Sequence, residues 1–179
     1  ALAPTDRYLD VGCGNGYTVR WAAAVGPEVK ATGIDVSPEM IERARAASEG
    51  IDNASFEAAS FPHRSLADGS FDAIFSMEVF YYLPDLDAGL ADVARILAPG
   101  GRFACVVDFY RENRASHSWG DDLGLSLHLL DEAGWRDAFA RAGLEVTGQD
   151  RLKPPLAAGE EPTWKHEVGS LMTLGRLPG

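Results

Sequence analysis

An α/β fold is predicted, a doubly wound, mostly parallel sheet with helices on both faces. Three observations carry this expectation. Short apolar runs alternate with segments of helical period, which is how strand–helix–strand units read. A glycine-rich turn, Gly12, Gly14 and Gly16, stands between the first such run and the first helical segment. The run Arg102–Tyr110 (RFACVVDFY) is almost continuously apolar, as a strand covered on both faces must be.

Taken in order, Tyr8–Val11 reads as the first strand and Tyr17–Val25 as the helix after the glycine turn, stopped by Gly26-Pro27. Val29–Asp35 is the second strand. Ser37 is an N-cap, with Pro38 at the first helical position and Glu39 in the first turn. Met40, Ile41, Ala44 and Ala47 then recur at helical spacing. Ser55–Ala59 is a short third strand, and a polar turn, Ser65–Ser70, leads into the fourth, Phe71–Met77. Asp85–Ala98 is a helix whose apolar stripe is Leu86, Leu90, Val93, Ala94 and Leu97. Pro99-Gly100-Gly101 is expected to end it before the fifth strand, Arg102–Tyr110. Asp131–Ala142 is a helix with Asp131 as N-cap and Gly143 just past its end. Leu144–Leu152 and Glu167–Leu177 read as two last strands without a helix between them, hence an antiparallel hairpin at the sheet edge, joined by the Pro- and Gly-rich loop Lys153–Lys165.

The 179 residues suit one domain spanning 1–179. The first strand starts so close to Ala1 that an N-terminal lid is expected to be missing from this chain, which is either minimal or trimmed. A formal net charge of −11 disfavours nucleic acid and anionic membrane surfaces as partners, because both are held by clustered Lys and Arg. Nothing in that charge opposes a neutral or cationic small molecule. Cys13 and Cys105 both fall in segments expected to be buried, which points to a reducing, cytoplasmic setting rather than a disulfide framework. No Cys/His spacing reads as a metal site, and no apolar run is long enough to cross a membrane. Oligomeric state is not legible.

The chemistry concentrates at Tyr8–Arg20 (YLDVGCGNGYTVR). Glycine tolerates positive φ and has no Cβ, so a ligand can approach the backbone, and helix-start N–H groups offer donors. Dinucleotide-binding turns need G-x-G-x-x-G, with a third glycine where the helix packs on the strand. Tyr17 occupies that position, and no hydride-site motif is visible. The pattern here is G-x-G-x-G preceded by Asp10, which resembles motif I of the class I S-adenosylmethionine-dependent methyltransferases. Three later segments agree in order and spacing: Asp35 at the second strand's end, DGSFDAIFS, and LAPGG before the fifth strand. The resemblance covers about Tyr8–Asp108. It implies a Rossmann-like sheet of seven strands with the last antiparallel, and S-adenosylmethionine as cofactor.

Carried onto this chain, the resemblance implies cofactor contacts from Asp10, Gly12, Cys13, Gly14, Gly16 and Tyr17 around the turn. It implies that Asp35 accepts hydrogen bonds from the ribose diol, with Val36 and Met40 beside it. Ser60 stands where the family often has an Asp for the adenine amino group, so that contact departs from the pattern. Phe61 flanks the ring or packs in the core. Ser76 and Met77 border the methionine part. Glu78, Tyr81 and Tyr82, at the end of the fourth strand, would face the reactive methyl, although an aromatic run there is often simply core. Glu78 stands in so apolar a stretch that it needs a partner.

Arg111–His128 is a long connection without a convincing period, and loops of that length are functional or disordered. With Tyr110 it places His117 and Trp119 as further candidates for a substrate pocket. Glu78, Tyr82 and His117 are the candidate catalytic groups. The expected reaction is methyl transfer to a small-molecule acceptor with release of S-adenosylhomocysteine, in which the protein chiefly aligns two reactants. A noncatalytic cofactor-binding domain and, less well supported, a nicotinamide-dependent oxidoreductase are the alternatives.

Overall fold

The computed structural model describes residues 1–157 and 159–179. β1 (Arg7–Val11) is followed by α1 (Tyr17–Ala23), β2 (Lys30–Asp35), α2 (Pro38–Ala47), β3 (Ala54–Ala58), β4 (Phe71–Met77) and α3 (Leu86–Ile96). Then come β5 (Leu97–Val107), α4 (Trp119–Leu123), α5 (Glu132–Arg141), β6 (Glu145–Leu152), α6 (Trp164–Glu167) and β7 (Ser170–Arg176).

The helix starts follow from their caps. Ser37 Oγ accepts from Met40 N–H at 3.3 Å ahead of α2, Asp85 from Ala88 N–H at 2.9 Å ahead of α3, and Asp131 from Gly134 N–H at 2.7 Å ahead of α5. Each satisfies a helix-end donor that has no partner within its own helix.

Among the described residues the strands form one seven-stranded sheet in the order β3-β2-β1-β4-β5-β7-β6. β1 to β5 run parallel, and β7 is antiparallel to both β5 and β6. The late hairpin is present, but β7 inserts inside β6 rather than ending the sheet, so β6 is the edge. From β1 the chain first builds outward through β2 and β3, then returns to add β4 on β1's other side. The two directions part between β1 and β2 on one hand and β4 on the other, which opens a crevice at the carboxyl ends of the strands.

Two apolar layers cover the sheet. Leu9, Val11, Phe80, Phe103, Trp135 and Phe139 pack on the face carrying α3 and α5; Tyr8, Val19, Ile41, Ala44 and Phe56 pack on the face carrying α1 and α2. Burying a side chain of the size of Phe139 contributes about 1.5–3 kcal/mol.

Three boundaries depart from expectation. β5 starts at Leu97, opposite Phe71, and carries the Pro-Gly-Gly segment inside it as an irregularity in its pairing with β4. Two backbone bonds explain this: Gly100 N–H donates to Leu177 O and Leu177 N–H to Gly101 O, each at 2.9 Å. The Arg111–His128 connection contains a 3-10 turn, Arg114–Ser116, and α4. Trp164–Glu167 is a helical turn boxed by Thr163 and His166, so β7 starts only at Ser170. No helix among the described residues is long and apolar enough to cross a membrane.

Candidate active site

β1 alternates. Leu9 and Val11 face one layer, Tyr8 and Asp10 the other. After Val11 the chain has five residues, Gly12–Gly16, in which to turn into α1. Gly12 N–H and Cys13 N–H both donate to Ile34 O, at 2.8 and 3.0 Å, which pulls the turn against β2. Gly12 has φ +78°, and a Cβ on it would lie 2.1 Å from Val79 Cγ2. Gly14 has φ +52°, but no atom stands within 4 Å of where its Cβ would be. One glycine is therefore required by packing, while the other leaves open space beside the backbone.

Asp35 ties this turn to the next helix. Its Oδ2 accepts from Gly14 N–H and its Oδ1 from Ser37 N–H, both at 2.8 Å. Asp10 is buried and accepts from the Thr18 hydroxyl. Burial raises its carboxyl to about 7; the Thr18 bond opposes the rise and the nearby Asp35 charge adds to it. Burial likewise pushes the Cys13 thiol up to about 12, with Asp10 and Asp35 adding to the rise.

A cleft of about 560 Å³ opens at the carboxyl ends of β1 to β4. Gly12, Asp35, Val36, Ser60 and Phe61 line it on one side, and Met77, Glu78 and Tyr82 on the other. Val36, Met77 and Tyr82 are unusually exposed for apolar side chains.

Glu78 has φ +62°, a conformation that costs a non-glycine residue on the order of 1–3 kcal/mol and persists only where the surroundings over-determine it. Here they do. Glu78 N–H donates to Val106 O at 2.9 Å. Its Oε1 accepts from Asp108 N–H at 2.5 Å, and its Oε2 from the Tyr81 hydroxyl at 2.7 Å. Burial, then the neighbouring Asp108 charge, raise the Glu78 carboxyl to about 7, against the Tyr81 and Asp108 N–H bonds and the Lys165 charge.

The remaining candidates lie off the cleft lining. Cys13 and Gly16 are buried behind the turn, and Met40 is half-buried in α2. Tyr17 places its hydroxyl 4.0 Å from Met77 Sδ. Ser76 is fully buried and gives its hydroxyl to Val11 O at 2.8 Å, so it is committed to holding β4 on β1. Tyr81 packs in the core and reaches the cleft only through Glu78. Tyr110 is fully buried and points away, its hydroxyl donating to Gly169 O at 2.8 Å. His117 is exposed, with Nε2 2.8 Å from Arg111 O. Trp119 is packed between Phe109 and Trp164, each with its ring centroid 6.4 Å away. The sequence reading missed Val11, Ile34, Ala59, Val79, Leu83 and Pro84 in the lining. The first two are legible as strand-end residues; the others owe their place to how the loops after β3 and β4 fold back.

Residues 2–157 match the profile of a family described as a methyltransferase domain. The chain belongs to that methyltransferase family. Among curated relatives, the methyltransferase GfsG of Streptomyces halstedii is 40% identical over 100 residues, 55% of this chain and 36% of its own. The 27-O-demethylrifamycin SV methyltransferase of Amycolatopsis mediterranei is 40% identical over 107 residues, 58% of this chain and 39% of its own. The chain thus spans well under half the length of these relatives. Among solved structures, a Haloferax volcanii putative methyltransferase, in complex with the Trm112 methyltransferase activator, superposes with a TM-score of 0.89 at 34% identity. That match covers 99% of this chain and 85% of the other. An S-adenosylmethionine-dependent methyltransferase from Mesorhizobium loti, 24% identical with a TM-score of 0.79, shares the fold over 98% of this chain and 93% of its own.

Membership in the methyltransferase family implies S-adenosylmethionine as cofactor and S-adenosylhomocysteine as product. The cleft fits such a molecule. Its volume lies in the ordinary range of roughly 300–1,000 Å³ for small-ligand sites. Gly12 brings backbone to the cleft, and the Asp35 carboxylate lines a wall otherwise mostly apolar through Val11, Ile34, Val36 and Phe61.

Proposed function

We propose that this methyltransferase domain transfers a methyl group from S-adenosylmethionine to a small-molecule acceptor. One observation carries the proposal: a single cleft has the glycine turn and Asp35 on one side and a strained, partnered acid, Glu78, with the exposed Tyr82 ring on the other. When bound, S-adenosylmethionine supplies an activated methyl on a sulfonium sulfur. The protein's part is alignment. Asp35 would take the ribose hydroxyls, Val36, Ser60 and Phe61 would surround the adenine, and Met77 would lie along the methionine part. The acceptor would enter past Tyr82 and Glu78. A carboxyl with a pKa of about 7 is suited to take a proton from an acceptor that arrives protonated.

The cleft of about 560 Å³, the net charge of −11 and the rifamycin methyltransferase among the relatives support a small acceptor over nucleic acid. A cytoplasmic location belongs to the same proposal, supported by two buried, unpaired cysteines. The Haloferax volcanii likeness favours a second reading, in which a protein activator assists the domain.

Methyl-labelled S-adenosylmethionine, offered with a small-molecule library and separately with bulk RNA and protein, tests both. Label entering the small-molecule fraction without any activator is the expected result. Label entering only the macromolecular fractions, and only when a Trm112-type activator is added, would overturn the first reading in favour of the second.

A further inference from the structure

At the carboxyl ends of β4 and β5 two acids are held together. Asp108 N–H donates to Glu78 Oε1 at 2.5 Å, so the backbone of one acid grips the side chain of the other. Asp108 stands in a run of buried apolar residues, Val106, Val107, Phe109 and Tyr110, and Glu78 is partly buried beside it. The Asp108 side chain is 8% exposed. The Asp108 charge raises the Glu78 carboxyl, the repulsion that a nearby cation relieves.

One cation is present. Lys165, on α6, brings Nζ to 3.1 Å from Asp108 Oδ2 while its own side chain stays half exposed. It also lies 5.3 Å from the Trp164 ring centroid, an ammonium set against both a carboxylate and an aromatic face. It does not complete the site. Asp108 Oδ1 is buried and has no hydrogen-bond partner, which a buried carboxylate tolerates poorly. Asn113 closes the far side through Nδ2, 2.8 Å from Asp108 O. On the near side Glu78 and Tyr82 form part of the cleft wall.

We propose that Glu78 and Asp108 seat a cationic nitrogen of the acceptor, a small alkyl- or arylalkyl-ammonium, and that Lys165 is the internal cation it displaces. This rests on the small-molecule reading above and names the acceptor's class. The unpartnered Asp108 oxygen and the Glu78 carboxylate supply the charge, and the exposed Tyr82 face supplies a cation–π contact to the rest of the molecule. Lys165 is suited to leave, because α6 is one short helical turn beside an exposed loop, so moving it unpacks little.

The test uses the full chain saturated with S-adenosylhomocysteine at about pH 8, titrated calorimetrically with phenethylammonium and with its neutral near-isostere 2-phenylethanol. The ammonium is expected to bind at least tenfold more tightly than the alcohol. Glu78→Gln and Asp108→Asn are each expected to abolish that preference, with thermal unfolding as the check on the buried Asp108 change. Lys165→Met alters a half-exposed side chain and keeps the test independent of folding. It is expected to tighten the ammonium at least threefold and leave the alcohol unchanged. Equal affinity for the two probes, or ammonium binding unimproved or weakened in Lys165→Met, would overturn the seat. Ammonium selectivity without label transfer to any small molecule would sustain the seat and overturn the small-molecule reaction instead, so the two proposals fail separately.

Discussion

Gly12 and Gly14 look alike in sequence and differ in what surrounds them. At Gly12 an added methyl would enter the Val79 side chain and the backbone would keep an unfavourable positive φ. Gly12→Ala is therefore expected to destabilise the fold by about 3 kcal/mol or more. Gly14→Ala carries the φ penalty alone, roughly 1–2 kcal/mol, and places a methyl in the open space beside the turn, where the proposed cofactor would meet the backbone. Thermal unfolding and S-adenosylhomocysteine calorimetry separate the two: Gly14→Ala should melt near the wild type and bind far more weakly. Normal binding by a folded Gly14→Ala would move the cofactor away from this turn. Asp35→Ala should weaken the same ligand by on the order of 2–3 kcal/mol, since hydrogen bonds to a charged group are lost. An unchanged affinity with an intact fold would remove Asp35 from the site.

Asp10 gives a pH signature at the same scale. Its carboxyl moves from 3.8 to about 7 on folding, chiefly through burial. The folded state therefore holds a proton that the unfolded state releases. The stability this provides is full below about pH 4 and is lost as pH rises through about 7. Asp10→Asn keeps an acceptor for Thr18 and never ionises. It should match the wild type at pH 4 and exceed it at pH 8, by on the order of 1–4 kcal/mol. Glu78 slopes the same way but is present in both proteins, so it cancels from the difference. Parallel denaturation profiles from pH 4 to 8 would show that Asp10 does not titrate in that range.

At the scale of elements, the connection after β5 is the least uniform part of the chain. Its ends are fixed: Arg111 N–H donates to Leu130 O at 2.9 Å, His128 N–H to Tyr81 O at 3.0 Å, and Asn113 and Ser116 are fully buried. Its middle, Asp121–Ser126, is exposed, and α4 is held mainly by Trp119 between Phe109 and Trp164. Hydrogen exchange should therefore be slow at Asn113 and Ser116 and fast across Asp121–Ser126. The fast part should slow when S-adenosylhomocysteine and an acceptor analogue are both bound, if α4 closes over the cleft. Strong protection of the whole connection in every state would make it a fixed element and remove it as a cover. The absence of a sequence period here has a plain cause. One turn of 3-10 helix and one of α-helix are too short to repeat a pattern, and both are positioned by contacts with distant residues. The Leu97–Gly101 segment was unreadable for a similar reason. Pro-Gly-Gly ends a helix by its local chemistry, and only Leu177, far along the chain, supplies the bonds that make it strand.

For the whole molecule, the order of the sheet decides where ligands bind. Because β4 returns to β1 on the side opposite β2, the ends of four strands open into one cleft instead of separate grooves. Ligand that binds only the folded chain raises its apparent stability, by about 2.7 kcal/mol at a hundred times the dissociation constant. S-adenosylhomocysteine should raise the melting temperature in this way and NAD should not, because Tyr17 stands where a dinucleotide turn needs its third glycine. A shift with NAD alone would contradict the cofactor assignment.

Local chemistry wrote much of this protein legibly. Alternating strand and helix periods, Ser37 and Asp131 as caps, the glycine turn and Asp35 at a strand end are all features of neighbouring residues, and neighbours are what periodicity and capping report. Tyr110, Ser76 and Asp108 were different. Each lies in or beside an apolar strand, and nothing nearby in sequence says which way its polar atom turns. Tyr110 finds the Gly169 carbonyl, Ser76 the Val11 carbonyl, and Asp108 Oδ2 the Lys165 ammonium. These partners lie many tens of residues away in most cases and meet only because the sheet brings their strands together. A buried polar atom must find a partner wherever packing offers one, so its role is a property of the assembled sheet and not of the segment that carries it.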